Sequence, residues 1–298
     1  MALLSFCSSS GTFDLSDPCI RAAWSSVIPA VLVGAYCLYR IPLPGLVRKG
    51  TSYLKEPFRS FLTVAEAEAY DADDVASEGH TSPHQRAPLW LTFVLSGIAA
   101  LQTTAWAALT ILLVVANDRP DSTSILFSAL MLFSWFYASV KPVFEPKTTP
   151  PYDLFALYIV MMLGSILVFG GILFDASVYD EVQLDKRIII AHSFNLLSIL
   201  TLLISVLSRP LAIPSTKVNK EEIGKSISPE DYTTLWGWLS FNWIQPLISR
   251  GTYDTLNESD VWELSVTMRA RPVFRKFSDT KRKTLLRQLW ASNSMDIM

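Results

Sequence analysis

Five stretches of this 298-residue sequence, 22–39, 88–116, 122–140, 154–174 and 188–208, contain no Asp, Glu, Lys or Arg. A helix rises about 1.5 Å per residue and the hydrocarbon core of a bilayer is about 30 Å thick, so about 20 apolar residues suffice to cross it. Soluble helices carry charges every few residues on their wet faces, which none of these stretches does. The first is the shortest and is interrupted by Pro29. The second is long enough to tilt or to project beyond the lipid. Only 17% of the chain is charged and its mean hydropathy is +0.32, against roughly a quarter charged in soluble proteins. The expected fold is an all-α polytopic membrane protein. Five transmembrane helices occupy about 1–208, and a mostly irregular cytosolic linker with an amphipathic interfacial helix occupies 209–298.

Several function classes are excluded by the same counts. Lys plus Arg number 25 and Asp plus Glu 27, a balance unlike the basic domains that bind nucleic acid. Three Cys are too few for a disulfide scaffold or a Cys-rich zinc module.

Lys and Arg favour the cytosolic loops of a membrane protein. With the N-terminus outside, loops 40–87 and 141–153 hold Arg40, Arg48, Lys49, Lys55, Arg59, Arg86, Lys141 and Lys147, and the tail after Ser208 is also basic. The opposite side holds Arg21, Arg119, Lys186 and Arg187 among several Asp and Glu. The preferred topology is therefore exoplasmic or lumenal N-terminus and cytosolic C-terminus. The first 20 residues lack the basic start and apolar run of a signal peptide. Cys7 and Cys19 fall on the oxidising side, where they either form a disulfide or remain two thiols on a loose tail. A loop of that size would contribute up to about 3 kcal/mol. Cys37 is expected against lipid or a neighbouring helix. In the long loop, the half containing Leu46, Tyr53, Leu54, Phe58, Phe61 and Leu62 is expected along the membrane surface. The following acidic half, with Glu66, Glu68, Asp71, Asp73, Asp74 and Glu78, reads as solvated.

No catalytic constellation stands out. His80 and His84 are separated by Thr-Ser-Pro, which breaks a helix, and no Glu follows the first as in a zincin. His192 lies inside the fifth span with Asn195 nearby. An ionisable group there is a functional candidate, but a neutral imidazole bonded to another helix accounts for it as well. Gln102, Thr103 and Thr104 read as interhelix hydrogen bonds. No span contains an Asp, and no GxSxG motif occurs. Gly224-Lys225-Ser226 ends like a phosphate loop, but Asn219 stands where the first glycine is needed and no strand precedes it. Leu95-Ser96-Gly97 begins like an ABC signature but lies within a span. The expectation is no catalytic, cofactor or metal residue, and neither ATP binding nor enzymatic activity of the chain on its own.

After Ser208, Pro210 and Pro214 end the last span, and a Trp-rich run follows at 235–251. A helix over about 233–248 would place Leu235, Trp236, Leu239, Trp243 and Leu247 on one stripe, with Asn242, Gln245 and Ser249 in a narrow polar sector. Pro246 would end or kink it. Trp suits the headgroup layer, so Trp236 and Trp238 are expected at the membrane interface.

The run Ser228-Pro-Glu-Asp-Tyr…Leu239-Ser-Phe-Asn-Trp243-Ile-Gln-Pro246-Leu247-Ile-Ser-Arg-Gly251…Leu256…Asp260-Val-Trp262-Glu-Leu264 resembles the linker and elbow-helix region of full-length C-subfamily ABC exporters, the multidrug-resistance-associated type. The family pattern is Ser/Thr-Phe-x-Trp-x-x-Pro-Leu, a later Gly, then Leu-x-x-x-Asp-Leu-Trp-x-Leu. Val261 replaces the usual Leu. Five preceding spans with an outside N-terminus resemble, by topology, the family's accessory N-terminal membrane domain.

The resemblance implies a linker beside the transport core and an elbow helix on the inner leaflet. It makes Phe241, Trp243, Pro246, Leu247, Gly251, Asp260 and Trp262 the docking residues. A basic cluster follows (Arg269, Arg271, Arg275, Lys276, Lys281, Arg282, Lys283 and Arg287). Its position suits anionic lipid, and Leu285, Leu286, Leu289 and Trp290 would begin the approach to a core span. The sequence stops at Met298, before the family's two six-span cores and nucleotide-binding domains with their ATP and Mg. It is therefore expected to be a fragment, a truncated gene model or a stand-alone product. The expected partners are the lipid bilayer and an exporter transport core, in a vacuolar or plasma membrane. The expected role is that of an accessory, regulatory region of an exporter of organic anions or conjugates. The rival readings are a membrane scaffold for another protein, an intramembrane enzyme using His192 or the His80/His84 pair, and a small channel or receptor.

Overall fold

The structure is a computed structural model that describes residues 7, 15–40, 89–115, 122–145, 149–178, 186–214, 219–265, 268–279, 284, 285 and 288. The loop expected along the membrane, His80 and His84, and Leu286, Leu289 and Trp290 lie outside the described residues. Helices dominate, and among the described residues β-pairing is limited to isolated bridges. The chain divides into two compact units: Met1–Leu38 with Arg86–Leu207, and Tyr39–Gln85 with Ser208–Met298.

The first unit is built on five long helices: α1 (Pro18–Arg40), α2 (Leu89–Val115), α3 (Ser122–Phe144), α4 (Tyr152–Val178) and α5 (Lys186–Leu207). All five are long and apolar enough to cross a membrane. Their surfaces carry large apolar side chains left exposed. Phe93 is 72% exposed, Leu112 61% and Val115 76% on α2 alone. Contiguous apolar surface of this kind calls for lipid rather than water.

The helices run beyond the uncharged stretches. α3 continues through Lys141, and α4 begins before Asp153 and ends after Asp175. Charged residues therefore lie inside helices, at their end turns, and several are paired there. Lys141 is buried and reaches Asp153 at 2.9 Å and Glu145 at 3.0 Å. The Tyr137 hydroxyl donates to the same Asp153 carboxylate at 3.0 Å. Arg21, 4% exposed, pairs with Asp175 of α4 and donates to the Leu15 carbonyl at 3.2 Å.

Small residues and amides set the packing. A Cβ on Gly164 would come within 3.0 Å of the Ser25 backbone, and one on Gly171 would overlap the Arg21 side chain. Those two glycines, two turns apart on α4, let α1 approach closely, as small residues do in membrane bundles. Gln102 of α2 donates to Ser198 of α5 at 2.8 Å, and Asn195 of α5 donates to Ser165 of α4 at 3.0 Å. Ser96 of α2 donates to the Ser139 carbonyl of α3.

Thr103 and Thr104 do not bridge helices. Their hydroxyls bond Ala99 and Leu101 carbonyls of their own helix, because a threonine hydroxyl is short and the preceding turn's carbonyl is the nearest acceptor. A disulfide joins Cys7 to Cys19, and the Asp17 carboxylate accepts from the Cys19 N–H at the start of α1. Cys37 is a free thiol, half-buried in α1.

Candidate functional site

In the second unit the expected single helix over 233–248 is two helices, α6 (Leu235–Leu239) and α7 (Gln245–Tyr253), with a 3₁₀ turn at Asn242–Ile244 between them. Phe241 turns the chain in the left-handed region at φ 55°. A continuous helix would bury Pro246 in its interior, losing one hydrogen bond and driving the ring into the Asn242 carbonyl. The break instead places Pro246 in the first turn of α7, where its missing N–H is not needed. Pro246 therefore starts a helix rather than ending one. The expected stripe is dismantled with it: Leu235 is buried, Trp243 and Leu247 are half-buried, and Trp236 and Leu239 are exposed.

The turn before this region is folded on itself. Asn219 caps a 3₁₀ turn at Lys220–Glu222, and Gly224 adopts φ +85°, a conformation that suits a residue without a Cβ. The N–H groups of Lys225, Ser226 and Ile227 converge on the Glu222 carbonyl, while that of Gly224 bonds Ile227. Gly224-Lys225-Ser226 thus spends its backbone donors within its own turn instead of presenting them to a phosphate.

Onto this turn folds the segment around Trp262. Its indole N–H donates to the Gly224 carbonyl at 2.8 Å, and the Glu263 N–H donates to Ser226 at 2.8 Å. Ile227 bridges to Glu263. The Ser265 hydroxyl donates to Asp231, 2.7 Å from its nearer carboxylate oxygen. Trp262 and Trp243 meet with ring centroids 6.2 Å apart at 45°, a tilted contact of the kind aromatic pairs prefer. Between them opens a cavity of about 310 Å³, also lined by Pro246, Asn242 and Tyr232. The Trp243 indole nitrogen is buried there without a hydrogen bond among the described residues.

The remaining sequence-selected residues take supporting positions. Asp260 accepts from Arg250 at 2.9 Å and from the Asn257 N–H, closing a capping box. Gly251 lies against Leu256, 3.1 Å from where a Cβ would sit. Trp243, Pro246 and Trp262 are thus brought together. Asp260 and Gly251 hold the flanking loop, Leu247 is half-buried on α7, and Phe241 points away at 66% exposure. Trp236 and Trp238 stand exposed on α6.

Gly224 and Glu230 were not singled out as structural by their sequence setting. Burial and the adjacent Asp231 carboxylate push Glu230 above the usual carboxylate range, against a hydrogen bond from Trp238 that lowers it. In the first unit, His192 stacks on Phe169 at 6.5 Å. Among the described residues no group of His, Cys, Asp and Glu is arranged to hold a metal. No protein-family model and no curated protein matches the chain.

Proposed function

We propose that this chain is the accessory, regulatory N-terminal membrane region of an ATP-driven exporter of organic anions or conjugates, of the multidrug-resistance-associated type. Five helices cross the bilayer with the N-terminus exoplasmic or lumenal. The tail from 209 lies in the cytosol and docks against a six-span transport core. ATP hydrolysis and substrate movement belong to that core, so the chain neither pumps nor hydrolyses ATP by itself.

The observation that carries this reading is the convergence of Trp243, Pro246 and Trp262 around one open aromatic cavity. These are three of the residues that carry the sequence resemblance. A loose tether would leave them apart, whereas here hydrogen bonds from Trp262, Glu263 and Ser265 fix the Trp262 segment and ring contact joins Trp262 to Trp243. Shaped apolar cavities rimmed by polar groups are where partner side chains anchor.

Isolation of the tagged chain from its native membrane in mild detergent tests the proposal. It predicts that nucleotide-binding cassettes are recovered with the tagged region, on the same polypeptide or on an accompanying one. The paired substitution Trp243→Ala with Trp262→Ala is expected to uncouple the tail from the transport core, releasing a separate core polypeptide or exposing 209–298 to limited proteolysis in a continuous one, while the spans stay in the membrane. Recovery without cassettes, alone or with another partner, contradicts the proposal, and the latter outcome supports a scaffold instead.

A further inference from the structure

We propose that the cavity between Trp243 and Trp262 binds an arginine side chain presented by an extended segment of the partner. The inference rests on the proposed reading of this cavity as an anchor, and adds the chemistry of what anchors there.

Three properties of the site select that ligand. The first is its aromatic wall. Trp243 and Trp262 present two indoles inclined at 45°, and Tyr232 adds a third ring. All three residues are half-buried, so part of each stays open to a ligand. An aromatic face is electronegative and attracts a cation placed within about 6 Å of the ring centre. The Trp262 N–H donates to the Gly224 carbonyl, which fixes that ring without covering its face. A volume of about 310 Å³ suits one long side chain.

The second property is charge. Between 219 and 263 the sequence holds eight Asp or Glu and three Lys or Arg. Arg250 is paired with Asp260, and Arg269 with Glu263. Close to the cavity, Glu221 and Glu222 precede the lining residue Ile223, and Glu230 follows Pro229. An anion brought here meets like charge, whereas a cation is attracted by carboxylates and ring faces together.

The third is a donor. The Trp243 indole nitrogen is buried and has no acceptor among the described residues. A buried donor left unpaired is costly, so a fitting ligand brings an acceptor as well as a positive charge. An inorganic cation carries none, but an arginine in an extended peptide carries its own backbone carbonyl. Arginine is favoured over lysine because its planar guanidinium stacks on aromatic faces and is more weakly hydrated. The Asn242 amide, which also lines the cavity, offers an oxygen to those guanidinium N–H groups. A choline headgroup likewise joins a cation to an acceptor, but that acceptor is a phosphate, which the nearby carboxylates repel.

The test uses the full chain in a maltoside detergent with isotope-labelled tryptophan, read by the indole N–H resonances. Loss of one resonance in Trp243→Phe identifies Trp243. The probes are a blocked Gly-Arg-Gly peptide, the same peptide with lysine, citrulline or norleucine at its centre, and glycerophosphocholine. The arginine peptide is expected to shift the Trp243 resonance saturably. It should bind about tenfold more tightly than the citrulline peptide, which has the same shape without the charge. Trp262→Leu should bring the two peptides within about twofold of one another. Glu221→Gln with Glu222→Gln, both exposed, should weaken arginine binding about threefold, and this pair keeps the test decisive if Trp262→Leu disturbs the tail. Nucleotide-binding cassettes play no part in the measurement. Failure here with cassettes recovered therefore removes the arginine and leaves the anchor, and arginine binding without cassettes does the reverse. Equal or tighter binding of the lysine, citrulline or norleucine peptide or of glycerophosphocholine overturns the proposal, as does the lack of a saturable shift with any probe.

Discussion

At the scale of single residues, buried charge inside the membrane unit is tolerated where it has a specific counterpart, as Arg21 and Lys141 do. Arg21 is 4% exposed and bonded to Asp175. Breaking a buried pair by removing one partner costs on the order of 3–5 kcal/mol, because the other charge stays buried. Arg21→Met should therefore lower the thermal unfolding midpoint of the detergent-solubilised chain more than the double change Arg21→Met with Asp175→Leu. An equal or larger loss in the double variant would contradict the pairing. Glu230 gives a pH signature in the tail. A carboxyl with a raised folded-state pKa contributes stability that is fully present below its ordinary value and lost as pH rises through the raised one. Tail unfolding followed by Trp fluorescence should show stability declining over that window, and Glu230→Gln should flatten the decline. Sequence exposed some of these roles and hid others. Gln102 could be read as an interhelix group because a buried amide must find a partner. The Arg21–Asp175 pair could not, since the two lie 154 positions apart and only the α1–α4 approach at Gly164 and Gly171 joins them.

At the scale of elements, the five long helices are legible because a bilayer imposes a length and a composition that few other environments demand. Their ends are not, because end-turn charges such as Lys141 and Asp153 satisfy one another across helices and let each helix continue. The tail shows the converse failure. Apolar spacing over 235–247 reads as one helix, but local backbone preference at Phe241 and Pro246 divides it. A non-glycine residue in the left-handed region costs about 1 kcal/mol, and Phe241 recovers little by burial since it is 66% exposed. Phe241→Gly should leave the fold unchanged and the tail as stable or more stable. Pro246→Ala should shift stability by well under the roughly 3 kcal/mol that relieving an interior proline would yield. A large gain in helicity from Pro246→Ala, seen by circular dichroism, would show that one helix and not two is the preferred state.

At the scale of the whole molecule, the proposed function depends on an odd number of crossings, which puts the two ends of the chain on opposite sides of the membrane. Disulfides such as Cys7–Cys19 form in oxidising compartments and Lys and Arg favour cytosolic segments, so the proposed arrangement makes a separate demand at each end. The tail also carries a native glycosylation acceptor, Asn257-Glu-Ser259, which is modified only if it enters a lumen. The most direct measurement is glycosidase sensitivity of the chain expressed in microsomes, with a second acceptor introduced in the N-terminal tail. Sugar on the introduced N-terminal acceptor and none on Asn257 is the result predicted here. Sugar on both, or on Asn257 alone, would contradict the five-crossing arrangement with a cytosolic tail.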